Sequence, residues 1–187
     1  MGCPLSVAGV ENISVITAIS HPLRRRIIDR LLLHGPTQVG TFARVLDAQV
    51  GSISHHLRML QKAGVIEQTD APDGDRRASW WRLARRSFTW SAADFESPAD
   101  ALLAREAERA NVRHQLDRLS QWYRTSPTSD LEGFNTDSLA WATQEELNDL
   151  HRRLNTMLDD WRSSIDREDR QERMPVYFFA HGFPTKV

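Results

Sequence analysis

Residues 50–64 read VGSISHHLRMLQKAG, and their side chains could do hydrogen-bonding chemistry at a close approach. Gly51, Ser52 and Ser54 are poor helix fillers, because glycine is too free and serine competes for the backbone. Yet Ile53, Leu57 and Leu60 recur at helical spacing. A helix with an apolar back and a small, polar front makes sense if the front lies against something bulky that hydrogen-bonds. His55 and Arg58, the latter one turn on from Ser54, add a ring nitrogen and a guanidinium to that front. His56 follows Ile53 by three, so it either ties the helix into a core or joins the same surface.

No catalytic set accompanies this stretch. The sequence has no nucleophile elbow, no glycine-rich phosphate loop and no paired carboxylates on a recognisable scaffold, so an enzyme is not expected. The single cysteine, Cys3, rules out an internal disulfide and fits a reducing cytosol. His114 and His151 have no second imidazole three or four residues away, so no metal site is expected, and no cofactor motif is present. Trp122, Trp141 and Trp161 could line a pocket for an apolar or aromatic effector, although aromatics at helical spacing are otherwise core.

Charge separates the two halves of the 187-residue chain. Residues 1–90 hold 12 Lys/Arg against 7 Asp/Glu, a net of +5, while residues 91–187 hold 12 against 18, a net of −6. A basic front half joined to an acidic back half points to a polyanion partner for the front half alone. No apolar run approaches the roughly 20 residues that cross a bilayer, so no membrane partner is expected. The opening MGCPLS fits an acylation pattern at Gly2. Against it, 22 Arg beside two Lys (Lys62 and Lys186) is the bias of a GC-rich bacterial genome, where that modification is not expected.

Elements to position these residues follow from periodicity and stop signals. Residues 10–19 are apolar at helical spacing, and Pro22 opens a second helix with Leu23, Ile27, Ile28, Leu31 and Leu32 inward. His34-Gly35-Pro36 stops it, and Thr37 is placed to cap a short helix carrying Val39, Phe42, Ala43 and Leu46. Asp47-Ala48-Gln49 makes a tight turn in which Asp47 is able to adopt a left-handed conformation, and a helix over 50–63 ends at Gly64. Val65-Ile66 and residues 79–83 then form a hairpin around Ala71-Pro72-Asp73-Gly74-Asp75, with Arg76 and Arg77 on its edge.

The back half reads as a charged helix over 99–123 and a polar loop over 125–136. Leu139 and Trp141 alternate like a brief strand. A capping box, Thr143 with Glu146, opens a helix with an apolar stripe from Leu147 to Ile165, and 176–180 is an apolar run of strand length. That stripe is either a dimer seam or a packing face against the last strand.

Helix, tight turn, helix and hairpin is the order of a winged helix-turn-helix. The expected fold is mainly α with a β-hairpin wing: a winged helix-turn-helix over 1–90, then a helical (α+β) region over 91–187 for dimerisation and effector binding. Such a fold would place the front of the 50–63 helix in a DNA major groove, and its 70–82 wing on the minor groove or backbone. The expected DNA-binding residues are Thr37, Gln49, Val50, Gly51, Ser52, Ser54, His55, Arg58, Arg76 and Arg77. Of Arg24, Arg25 and Arg26, at least one reads as a structural partner; Trp80 and Trp81 read as wing and core packing.

HPLRRRIIDRLLLHGPTQVGTFARVLDAQVGSISHHLRMLQKAGVIEQ, followed by DGDRRASWWRL, resembles the arsenical-resistance-repressor (ArsR-like) winged-helix regulators over about residues 12–85. The resemblance implies a dimeric, cytoplasmic transcriptional regulator whose affinity for operator DNA is switched by a ligand or signal; the expected role is that of a repressor. Asp47 stands where the family turn has glycine, and Gln49 where its cap is serine. Metal-sensing branches carry cysteines on the preceding helix, and residues 41–47 have none, so the resemblance is to the non-metal-sensing type. The closing PVYFFAHGFP resembles the tail of members with an extra C-terminal region. A protein-interaction module built on the same fold is the alternative; such a surface would carry exposed apolar anchors instead of serines and a basic hairpin.

Overall fold

Proline is preset for the first helical turn and has no amide there to leave unpaired, and Pro22 opens α2 (Pro22–His34) behind α1 (Ile13–Ile19). The computed structural model describes residues 13–71, 79–84, 95–125 and 133–186. Ile27, Ile28 and Leu31 form the buried face of α2, whereas Leu32, expected beside them, is exposed. After α2 come β1 (Thr37–Gln38), α3 (Val39–Leu46), α4 (Val50–Lys62), β2 (Ile66–Thr69) and β3 (Trp80–Leu83). The three strands form one antiparallel sheet in the order β1-β3-β2. Among its facing pairs are Thr37 with Trp81, Ile66 with Leu83, and Glu67 with Arg82.

This is the expected winged helix-turn-helix, with one strand more than the sequence suggests. Thr37 does not cap α3; Gln38 holds the N-cap position. Thr37 is buried instead, its hydroxyl donates to the Gly35 carbonyl at 3.0 Å, and its backbone pairs with β3. The free edge of β3 offers a β-branched residue a ladder partner, and that edge exists only after the hairpin has folded.

The core is one cluster. Ile16, Ile27, Phe42, Ile53, Leu57, Leu60, Val65 and Ile66 are essentially inaccessible, and Trp81 is buried with them. α5 (Pro98–Thr125) closes this cluster with Ala104 and Ala107. Two polar links, Arg25 to Asn111 and Arg118 to Asp29, tie α5 to α2.

By compactness the chain divides into two units, Met1–Gln121 and Trp122–Val187. In the second, α6 (Gln144–Ser164) starts at the expected capping box: Thr143 Oγ1 accepts from the Glu146 amide at 3.2 Å, and Glu146 Oε2 accepts from the Thr143 amide at 2.7 Å. The strands expected around Leu139–Trp141 and over 176–180 do not form. A strand needs a neighbour for its amides and carbonyls, and the sheet of the described residues lies wholly in the first unit.

Two histidines join α2 to α4. His21, the N-cap of α2, accepts the Leu23 amide at Nδ1 (3.2 Å), and its ring lies 4.5 Å from that of His56. Nδ1 of His56 is shut away from solvent without a hydrogen bond. Burial lowers the pKa of both imidazoles; Arg24 and His55 add to the shift at His21, and His21, Arg24 and His55 add to it at His56. Proton uptake on His21 at Nδ1 would also remove the cap acceptor.

A histidine depressed in the folded state contributes stability above its unfolded pKa of about 6.5, and that stability is lost as pH falls through the lower folded value. The urea midpoint is therefore expected to fall between pH 7.5 and pH 5.5, and to fall less in His21→Asn, which keeps a cap acceptor that does not titrate. Equal midpoints at the two pH values in the unsubstituted protein would show that this pair carries no linkage.

Asp47 sits left-handed at φ 50°, ψ 57°, a conformation strained for residues with a side chain. Asp47→Gly is expected to raise stability by about 0.5–1 kcal/mol, the strain relief being partly offset by glycine's freedom in the unfolded chain. Denaturant melts check the sign.

Candidate nucleic-acid interface

α4 is held by one face and open on the other. Ile53, Leu57 and Leu60 are fully buried. Across the helix Val50 is 56% exposed, and Gly51, Ser52, His55, Arg58 and Lys62 are exposed too, with Ser54 half-buried. The turn before α4 aims this face: the Ala48 amide donates to the Ala43 carbonyl at 3.0 Å, and left-handed Asp47 reverses the chain. Gln49 then stands at the N-cap, exposed, and its side chain makes no cap hydrogen bond.

The side chains on this face are poised outward. Ser54 Oγ donates to the Val50 carbonyl at 2.8 Å, which leaves the hydroxyl's lone pairs to accept. Arg58 Nε donates to the Ser54 carbonyl at 3.2 Å, anchoring the stem of the side chain on α4. Gly51 is the most telling position. A Cβ built there would meet nothing within 4 Å, so the protein's own packing does not call for glycine. Glycine inside a helix costs about 0.5–1 kcal/mol relative to alanine.

Six of the expected DNA-binding residues (Val50, Gly51, Ser52, Ser54, His55 and Arg58) thus share α4, with Gln49 at its cap. Thr37 is a correction: it is buried in β1, so its side chain is withdrawn from the surface. Arg76 and Arg77 lie outside the described residues, as do Gly2 and Cys3. Lys62 joins the face four residues beyond Arg58, a spacing the sequence already carries.

Other candidates are taken up by structure. His56 packs on His21, and buried Arg24 donates to the Thr17 carbonyl at 3.0 Å. Arg25 reaches Asn111, and Arg26 alone of the three arginines is exposed. In the hairpin Trp81 is core, Trp80 is half-buried, and Arg82 pairs with Glu67 at 2.7 Å. Trp122 is half-buried, with its ring 3.6 Å from where a Gly133 Cβ would sit. Trp161 is 44% exposed and Trp141 stands wholly in solvent. Among the described residues no group of three or more His, Cys, Asp or Glu is placed to hold a metal, and no helix is long and apolar enough to cross a membrane.

Comparison with known proteins bears on the first unit. Residues 19–69 match the family described as a helix-turn-helix domain. Over 60 residues the chain is 40% identical to the HTH-type transcriptional regulator Rv2034 of Mycobacterium tuberculosis, a match covering 32% of this chain and 53% of that protein. Over 53 residues it is 45% identical to the transcriptional repressor SdpR of Bacillus subtilis, covering 28% and 58% respectively. The chain therefore spans little more than half the length of these curated relatives. Among solved structures, a Lactococcus lactis ZitR mutant in apo form aligns at 15% identity with a TM-score of 0.37, over 78% of this chain and 86% of its own. Residues 19–69 match that helix-turn-helix model, and α3, the turn, α4 and the β2–β3 hairpin give the first unit a winged helix-turn-helix fold.

Proposed function

We propose that this protein is a sequence-specific DNA-binding transcriptional regulator, a repressor, that acts in the cytoplasm as a homodimer. The observation that carries the proposal is the open face of α4: a glycine the fold does not need, beside Ser52, Ser54, His55 and Arg58, on a helix whose other face is fully buried. A base edge or phosphate is the kind of body that rewards small, hydrogen-bonding side chains and a close backbone approach. The net charge of +5 over residues 1–90 suits the same partner, and the relatives matched over this segment are named as transcriptional regulators.

In this mechanism each α4 enters one major groove, with the two half-sites about 34 Å apart. Gln49, Val50, Ser52, Ser54 and His55 read base edges or fix the register. Arg58, with Lys62, meets a base edge or phosphate, and Arg76 and Arg77 on the 70–82 wing meet the backbone or minor groove. The 91–187 region serves dimerisation, and an apolar or aromatic effector bound near Trp122 or Trp161 would switch affinity. No catalytic role is assigned.

Fluorescence anisotropy against a duplex from the protein's own upstream region, with a scrambled duplex as control, tests this. Log affinity is expected to fall with log salt at about −0.9 per phosphate contact. Arg58→Ala is expected to cost about 1–3 kcal/mol of binding. If the triple substitution Arg58→Ala, Arg76→Ala, Arg77→Ala left operator affinity unchanged, the proposal would fail, and an interaction module would take its place.

Gly51→Ala separates folding from binding. It is expected to stabilise the free protein by about 0.5–1 kcal/mol while weakening operator binding at least about tenfold, that is about 1.4 kcal/mol. Stabilisation without weaker binding would remove close approach from the mechanism.

A further inference from the structure

We propose that α6 pairs with α6 of a second copy, antiparallel, through its leucine stripe. α6 is well capped, yet none of its residues is buried. Leu147, Leu150, Leu154, Met157 and Trp161 repeat at alternating spacings of three and four, the heptad seam of a two-helix interface. Leu150, Met157 and Trp161 are exposed along it. At the start of the stripe the chain's own tail comes close, where a Cβ on Gly182 would lie 2.7 Å from Leu147 Cδ1.

Charge beside the stripe selects both the occupant and its direction. Arg153 and Asp160 lie seven residues apart on one edge of the seam, beside a shallow open trough of about 430 Å³ also lined by Met157. In an antiparallel pair with its dyad between Leu154 and Met157, the same edges of the two helices meet. Arg153 of each copy then faces Asp160 of the other, giving two symmetric ion pairs. In a parallel pair that edge would face Leu158 and Ile165, and neither charge would find its complement. Asp160 has no ion-pair partner among the described residues, and Arg153 pairs only along its own helix, with Asp149 at 2.6 Å. A second copy thus supplies both the apolar cover and the missing charges.

The inference rests on the proposal above that the protein works as a dimer, and it names the seam. Its test is sedimentation equilibrium of the full chain without DNA, comparing wild type, R153D, D160R and the double variant R153D/D160R. Each single reversal turns both ion pairs repulsive and is expected to weaken dimerisation at least about tenfold, the equivalent of about 1.4 kcal/mol. The double variant is expected to restore it to within about threefold of wild type. Circular dichroism confirms that each variant keeps its helices, since both sites are exposed.

Three results would overturn the inference: a monomeric wild type at about 100 μM, a dimer indifferent to both single reversals, or a double variant no tighter than the singles. Operator binding measured on the same four proteins keeps the two ideas apart. A wild-type dimer that ignores its operator would sink the regulator and spare the seam. Unchanged dimerisation in a protein that binds DNA would do the reverse.

Discussion

Ile53, Leu57 and Leu60 are buried to the last atom, and the rest of the first unit is arranged around them. α4 adjoins α1, α2, α3 and β2, so this stripe is where four elements meet. Burying three such side chains contributes on the order of 2 kcal/mol each. It also fixes the rotation of α4 about its own axis. With the apolar face clamped, Gly51, Ser54, His55 and Arg58 have no direction left but outward. The exposed face is a consequence of the buried one.

Around that clamp, polar groups set angles rather than bulk stability. Left-handed Asp47 turns the chain between α3 and α4, and Gly64 at φ 70° turns it out of α4 towards β2. His21 caps α2 and meets His56, so the start of α2 and the middle of α4 are in register through two neutral rings. Arg24 sits in the same junction and spends a hydrogen bond on the Thr17 carbonyl of α1. The HPLRRR motif thereby gives two of its three arginines, Arg24 and Arg25, to structure.

The second unit obeys a different logic. α6 has strong local signals: a reciprocal capping box, acidic residues in the first turn, and ion pairs from Asp149 to Arg152 and Arg153. What it lacks is burial. Helices of this length in water are held mainly by packing of an apolar face, and Leu150, Met157 and Trp161 on that face of α6 are exposed.

How much of this was legible in the residues differs from element to element. The helix ends were, because Pro22, Gly35, Asp47, Gly64 and Thr143 act through local backbone chemistry that needs no distant partner. So was the composition of the α4 face, since a stripe of Ile53, Leu57 and Leu60 names its opposite side at once. Three things were decided only in three dimensions. Thr37 is taken into a third strand because β3 presents a free edge to it; the apolar runs near Trp141 and over 176–180 stay irregular without such an edge; and the roles of Arg24, Arg25 and His56 depend on a carbonyl, an amide and a ring contributed by other elements. Local propensity and periodicity are properties of the chain itself. Pairing, burial and the sharing of hydrogen bonds belong to whatever the fold brings alongside.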